Sequence, residues 1–544
     1  PEMRGMIILT LQKVAAKHLS DQKLLEFDRT HQFPEDVIRE LLSPDVGLHL
    51  IFLPEDADGL GGGAQDICSI SEEMAAIDLG LATAFLSICL GTDPILVAGT
   101  PEQKAYWLGR IAHEGMIVAY GVTEPEAGSN VAALKTVAEP ITDQAGAITA
   151  YRLNGNKQFI TNGGMAQMYT ILAKAPGGPT FFVLERGTEG LSVGKEEDKH
   201  GIRSSNTASI ILEDVVVPVE QLIGGVEGQG LKQANAVFGY TRLMVGSFGL
   251  GAGRAALERA IKYAKQRIQF GTPLIDKEGF SDKLLSPHWV DLEAGRAYVE
   301  DVARLIDERG AEPFQVEGSI AKLWCTEAGN RAADAAIQAL GGYGYTREFM
   351  VEKIRRDVRI TTIYEGTSEI QQSIIAMYRW KETARSKGAF YREMAAGMDD
   401  LHASNPRVGA DSTAMALRDL NRTILFVHEH KMVRRQAVMF HLADMMTGCE
   451  VAAAFCRKAA SLAAKDHPDT GSYAAMSRTH ARRVLADVRR GSVQCAAGYV
   501  TEDDETTLAA LKAFTAELES GDAVRVHRGL LLDMDLVTAH LKQL

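Results

Sequence analysis

The 544-residue chain predicts an α+β fold in four parts: helices, a compact antiparallel β-domain, helices again, and an additional C-terminal helical domain. Three observations carry this. Apolar residues recur at helical spacing over 11–25 and 35–42. Between about 117 and 235 the pattern changes to short β-rich runs separated by turns of Gly, Asn and Pro. The charge then changes character: residues 1–385 hold 38 basic and 51 acidic side chains, whereas 386–544 hold 20 of each. The expected divisions are 1–116, 117–235, 236–385, a linker over 386–412, and a tail domain over 413–544.

Composition limits the function. A chain this long exceeds one core, so two to four domains are expected. Apolar content of 46% and charged content of 24% are those of a water-soluble globular protein. The net charge of -13 argues against a general nucleic-acid binder. Six cysteines (Cys68, Cys89, Cys325, Cys449, Cys456, Cys495) form no CxxC pair and join no histidine cluster, so no metal is expected and they read as buried thiols in a reducing compartment. No apolar run of about 18 residues is evident and no signal peptide opens the chain, which begins at Pro1. The expectation is a soluble, cytoplasmic protein (mitochondrial matrix in a eukaryote).

The elements follow in order. Pro34 stands near a helix start, and the glycine-rich run 53–63 lacks the Lys-Ser/Thr of a phosphate loop, so it reads as a turn. Helices are expected over 71–77 and 80–90. The second is almost wholly apolar, either core packing or one wall of a pocket. Thr100-Pro101-Glu102 caps a further helix. Strands are expected over 116–122, 169–173, 180–184 and 208–217. The run Gly246–Gly253 imitates a dinucleotide fingerprint but has no strand before it, so close helix packing is the reading. In the tail, amphipathic helices are broken near 466–471 and 501–505.

The chemistry centres on Ile363-Tyr-Glu-Gly-Thr-Ser-Glu-Ile-Gln371, just after Arg355, Arg356 and Arg359. Glu365 stands between an aromatic and a glycine. A carboxylate held there, short of water, can take a proton from carbon; a polar loop between helices is the alternative. Helices, a β-domain, then helices around this acidic loop resemble the acyl-CoA dehydrogenase flavoproteins. The resemblance spans about residues 10–385 and rests on several motifs in order. It implies that the second helical stretch is a four-helix bundle and that FAD is the cofactor.

Carried over residue by residue, Ala119-Tyr-Gly-Val-Thr-Glu-Pro-Glu-Ala-Gly-Ser-Asn130 looks like the family's first flavin motif. It implies that Tyr120, Val122 and Thr123 hold the flavin's pyrimidine edge and that Ser129 lies by the acyl-CoA; Asn130 stands where an Asp is usual. Leu153-Asn-Gly-Asn-Lys-Gln-Phe-Ile-Thr-Asn-Gly163 is similar to the second motif, implying that Phe159 stacks on the isoalloxazine and Thr161 bonds near N5. Arg267-Ile-Gln-Phe-Gly271 resembles the Arg-x-x-Phe-Gly that reaches a partner subunit's flavin. Arg267 and Phe270, with Gln338 and Gly342 of Gln338-Ala-Leu-Gly-Gly-Tyr-Gly344, would serve that role, so a homodimer is implied. Arg suits a diphosphate because its planar fork binds two oxygens. In the catalytic loop, Glu365 is the implied base, Tyr364 and Gly366 flank the thioester, and Thr367 and Glu369 lie near the flavin. Thr241 occupies the position where some members place the base, and Arg242 would order the loop or the CoA.

No Lys or Arg occurs from Leu79 to Thr100, and Leu81 falls where members that take dicarboxylic acyl groups carry an Arg. A charged acyl end would be unpaired there. An apolar acyl chain is therefore expected, over a floor of Ala82 and Leu86, with cyclic or aryl groups left open. The tail resembles the extra domain of very-long-chain members. Arg478, Arg482, Arg483, Arg489 and Arg490 would give a basic face for peripheral contact with an anionic membrane, a solvated face being the alternative. The leading expectation is an FAD-dependent dehydrogenase passing electrons from an acyl-CoA to an electron-transfer flavoprotein. The alternatives are an acyl-CoA oxidase and a DNA-associated relative; the tail's zero net charge argues against the last.

Overall fold

A computed structural model describes residues 2–310, 314–498, 505–519 and 529–544. The chain divides into two compact units. One comprises Pro1–Ala252, Ala303–Gly318 and Thr346–Glu365; the other comprises Gly253–Val302, Ser319–Tyr345 and Gly366–Leu544.

The first unit opens with helices α1 (Glu2–His18), α2 (Asp21–Thr30), α3 (Glu35–Leu42), α4 (Ala64–Ile77), α5 (Leu79–Ala98) and α6 (Pro101–Glu114). Their ends follow local chemistry. Ser20 accepts from the Lys23 N–H at the start of α2, and Thr100 and Gln103 form a capping box on α6 with Pro101 at its first position. Asp78 caps α5, which continues past its expected end through Pro94 and is buried over most of its length. Residues 53–63 form a turn containing one short 3-10 segment, as expected.

The sheet holds β1 (Val118–Gly121), β2 (Val137–Thr142), β3 (Ile148–Thr161), β4 (Met168–Ala175), β5 (Gly178–Glu185), β6 (Leu191–Glu196) and β7 (Thr207–Pro218). Their order is β1-β4-β2-β3-β7-β6, with β5 paired to β4. Pairing is antiparallel except that β1 and β2 run parallel to β4.

The long helices follow: α7 (Gly230–Gln266), α8 (Glu278–Leu284), α9 (Ser286–Arg309), α10 (Gln315–Leu340), α11 (Met350–Val358) and α12 (Ser368–Arg385), with a small hairpin of β8 (Ile268–Gln269) and β9 (Thr272–Pro273) after α7. The glycine run lies inside α7, and a Cβ at Gly251 would sit 2.1 Å from the Glu72 carbonyl oxygen on α4. Close helix packing is thus its role. On α11, Lys353 is fully buried and ion-paired to Asp357, 2.5 Å away, and to Asp78, the cap of α5. Asp357 in turn accepts the Ile202 N–H at 2.6 Å.

In the second unit the tail adds α13 (Ala389–Ser404), α14 (Ala410–Glu429), α15 (Gln436–Ala464), α16 (Thr470–Ala497), α17 (Glu505–Glu519) and α18 (Leu530–Gln543). The expected linker over 386–412 is corrected: α13 fills most of it. Tyr391, Ala395 and Met398 give it a buried stripe at helical spacing, which the glycines around it obscured. Glu450 of α15 is bonded by Arg379 of α12 at 2.8 Å and by the Tyr391 hydroxyl at 3.0 Å. The expected break near 466–471 separates α15 from α16; the one near 501–505 lies mostly outside the described residues.

Two further expectations change. Helices α5 and α15 are long and apolar enough by length and composition to cross a membrane, although no such run was evident in the sequence; 78% of each apolar window is buried, as in core helices. The five tail arginines do not form an open basic face. Arg478 and Arg482 pair with Asp533, Arg483 with Asp291, Arg489 with Asp419 and Arg490 with Asp487. Four aspartates offset part of the charge of the five arginines within the unit, Asp533 serving two of them, and Arg490 stays largely exposed.

Candidate active site

Glu365 follows α11 and one turn of 3-10 helix, Arg359–Thr362. Its φ of 56° lies in the left-handed region, and Gly366 follows at 91°. Glycine enters that region freely; a glutamate there costs of order 1–3 kcal/mol, a strain that concentrates at functional sites. The reversal brings the half-buried carboxylate to α7, where the Thr241 hydroxyl donates to Oε2 at 3.2 Å. Thr241 is 1% exposed.

The neighbours are aromatic, with buried hydroxyls. Tyr120 stacks on Phe181 at 5.7 Å, and its buried hydroxyl has no hydrogen-bonding partner among the described residues. Burial pushes that phenol well up, and the charges of Glu365 and Asp93 push it further. Burial likewise raises the Tyr364 phenol against the pull of the Thr83 hydroxyl. Arg242, on α7, lies over the Phe238 ring at 5.7 Å. Burial lowers its guanidinium while the Glu365 charge counteracts the shift. Among the partners of Glu365 are a neutral donor, a buried cation and phenolic walls, a setting in which a carboxylate can serve as a base toward carbon.

The two sheet motifs converge beside each other. The Gln158 N–H donates to the Thr123 carbonyl at 2.9 Å, joining the turn after β1 to the end of β3. Val122 is buried, Thr123 and Thr161 are half-buried, and Ser129 is exposed. Phe159 is 63% exposed with φ of 58°, so an uncovered aromatic ring stands at the end of β3. Asn162 donates to the Ala84 carbonyl and the Ser87 hydroxyl of α5, both at 2.7 Å, fixing this strand end to the apolar helix. A flat, uncovered ring beside neutral donors fits an isoalloxazine, which is how these residues suit FAD.

The remaining predicted residues lie in the second unit. Arg267 is exposed at the base of the β8–β9 hairpin, whose tip is Phe270 at φ 51°, 95% exposed. Gln338 and Gly342 are exposed at the end of α10, and Tyr263 meets Tyr343 there at 6.2 Å, drawing the hairpin base to that turn. Thr367 caps α12 and Glu369 is exposed in its first turn. A cavity of about 670 Å3 in this unit includes Glu369, Trp324, His480 and Arg483 in its lining but not Glu365. No group of His, Cys, Asp or Glu suited to a metal occurs among the described residues. Sequence reading missed Thr83, Asp93 and the buried Lys157–Glu124 pair; a lysine in an inward position of the β3 alternation was the signal for the last.

Acyl-CoA dehydrogenase domain models match residues 2–115 (N-terminal), 119–215 (middle), and 228–378 and 395–517 (C-terminal). The chain belongs to the acyl-CoA dehydrogenase family. It is an FAD-dependent oxidoreductase. It is 38% identical over 355 residues, 63% of this chain and 90% of the relative, to the short-chain-specific acyl-CoA dehydrogenase of Megasphaera elsdenii. It is 34% identical over 382 residues, 69% of this chain and 97% of the relative, to subunit CarC of the caffeyl-CoA reductase-Etf complex of Acetobacterium woodii. A Bacillus anthracis acyl-CoA dehydrogenase structure complexed with FAD covers 100% of this chain and 95% of its own at a TM-score of 0.86 and 22% identity. That similarity shows the fold of the dehydrogenase along its whole length, tail included.

Proposed function

We propose that this dehydrogenase converts an acyl-CoA thioester to its trans-2-enoyl-CoA, with Glu365 as the base. The observation that carries the reading is the Glu365 turn: a left-handed glutamate, held by Thr241 and walled by Tyr120 and Tyr364. FAD, when bound, supplies the acceptor for the β-hydride. The chain does the rest. Glu365 takes the α-proton, its backbone N–H polarises the thioester carbonyl, and the phenols keep water from the carboxylate. Val122, Thr123, Phe159 and Thr161 are the residues proposed to hold the flavin ring.

The pocket helix α5 supports an apolar acyl group. The support is chemical: the helix has no Lys or Arg to meet a distal carboxylate, while Leu81, Ala82 and Leu86 are packed apolar side chains. The exposed Arg267, Phe270, Gln338 and Gly342 suit contact with a second subunit's flavin, which makes a homodimer the proposed assembly. The CarC relative, named as part of an Etf complex, supports an electron-transfer flavoprotein as acceptor.

Anaerobic titration of the FAD-loaded protein with acyl-CoAs tests this, using short to very long straight chains with cyclic and dicarboxylic groups alongside. Bleaching of the flavin by an apolar member, abolished in Glu365→Gln, is expected. A fully loaded protein that no member bleaches would overturn the dehydrogenation, and bleaching only by dicarboxylic members would overturn the apolar pocket. Peroxide formed in air at the rate of turnover would replace the flavoprotein acceptor by oxygen.

A further inference from the structure

We infer that the buried Lys157–Glu124 pair positions the Val122–Thr123 turn for the flavin and so helps set both its affinity and its potential. The inference rests on the proposal that this turn holds the ring. Lys157 has a side-chain exposure of 0% and Glu124 of 4%, and Lys157 Nζ lies 2.6 Å from Glu124 Oε1. Lys157 Nζ also donates to the Val122 carbonyl at 3.3 Å. The Glu124 carboxylate accepts two more bonds, from the Lys135 N–H at 2.6 Å and the Thr136 N–H at 3.1 Å.

Consecutive residues of the turn are therefore tied down. Lys157 holds the Val122 carbonyl, the Gln158 N–H holds the Thr123 carbonyl, and Glu124 is held through its side chain. In a planar trans peptide the C=O and the following N–H point in opposite directions. Fixing the Val122 carbonyl toward Lys157 thus turns the Thr123 N–H away from the Lys157 ammonium, as a preorganised donor. Phe159 stands two residues beyond Lys157 on the same strand, so one segment supplies both the tie and the ring proposed to stack on the flavin.

The pair also balances charge. Burial pushes the Lys157 ammonium down to about 8 against the pull of Glu124, so both partners are ionised at neutral pH. Glu124 alone would place a buried negative charge behind the donor and oppose the negative charge that a flavin gains on reduction. A buried ion pair is weak evidence for stability, since apolar replacements are often neutral, whereas removing one partner is costly. Positioning accounts for the geometry better than stability does.

The test compares wild type, Lys157→Met, Lys157→Arg and the double variant Glu124→Gln/Lys157→Met. FAD dissociation, flavin midpoint potential and Tm are read for each. Lys157→Met is expected to lose roughly tenfold or more in FAD affinity, as for a buried partner left unsatisfied, and to lower the potential. Lys157→Arg restores part of both. The double variant buries no lone charge and recovers Tm, but not affinity, because the Val122 carbonyl still lacks its donor. Wild-type affinity and potential in the double variant would overturn the inference, as would a Lys157→Met protein altered in Tm alone. If Lys157→Met does not fold, the double variant decides. Phe159→Ala separates the two layers: unchanged FAD affinity there would remove the flavin site itself from β3, not just the role of Lys157.

Discussion

At the scale of single residues, the proposed base combines a costly backbone angle with a hydrogen bond from α7. The left-handed Glu365 aims its carboxylate at α7, and Thr241 meets it across 124 positions of sequence. A hydrogen bond to a charged group contributes about 1.5–3 kcal/mol. Thr241→Val should therefore lower kcat by roughly tenfold while FAD affinity and Tm stay near wild type. Steady-state kinetics beside an FAD titration would check this, and an unchanged kcat would show that the bond does not orient the base. Glu365 was legible because an acid between an aromatic and a glycine is chemically unusual. The resemblance also put Thr241 at the alternative base position but did not reveal its hydrogen bond to Glu365, because a lone threonine has no local signature.

Whole elements hold these residues in place. The long α7 carries both Thr241 and Arg242, and its small-residue run packs on α4, where Gly251 leaves no room for a Cβ. An alanine in a helix normally gains about 1 kcal/mol over glycine. Here the clash with the Glu72 carbonyl should reverse the sign, and overpacking typically costs about 1–3 kcal/mol. Gly251→Ala is expected to lower Tm and to speed amide exchange in α4; a raised Tm would show that α4 yields freely. The α5 cap, Asp78, is bound through Lys353 to the helix that leads into the Glu365 loop. The sequence showed the apolar helix and the acidic loop separately. Only folding revealed the lysine between them, since Lys353 and Asp78 are 275 positions apart. The missed α13 shows the converse, in which glycines at helix ends look like a linker until the buried stripe is seen.

At the scale of the molecule, burial of ionisable groups makes stability depend on pH. Burial pushes His49, His288 and His480 below the usual 6.5, so they are neutral in the fold and bind protons on unfolding. The unfolded state then holds more protons below about 6.5, and stability falls as pH drops through that window. Asp28, Glu124 and Asp291 are also buried, but Arg356, Lys157 and Arg483, with other partners, hold them below the usual carboxylate range. Their contribution is whole above the unfolded values near 4 and is lost as pH falls through the folded ones. Tm should thus be level near pH 7–8, decline below about 6.5, and drop more steeply below 4. A thermal scan series that stays level from pH 7 to 5 would show that the histidines are not held neutral. The tail's arginines are likewise paired across the fold: four of the five meet acids on other helices, which a net charge counted along the chain did not reveal.

The sequence by itself determined the order of helical and β parts, the motifs on β3 and the turn before it, and the acidic loop. These are local: periodicity, turn chemistry and short spacings are written in contiguous residues. Tertiary structure alone decided what surrounds each motif. Thr241 at Glu365, Lys157 at Glu124, Lys353 at Asp78 and Asp533 against the tail arginines are all pairings of distant residues. A lone threonine, lysine or aspartate acquires its role only when folding removes the water that would otherwise satisfy it.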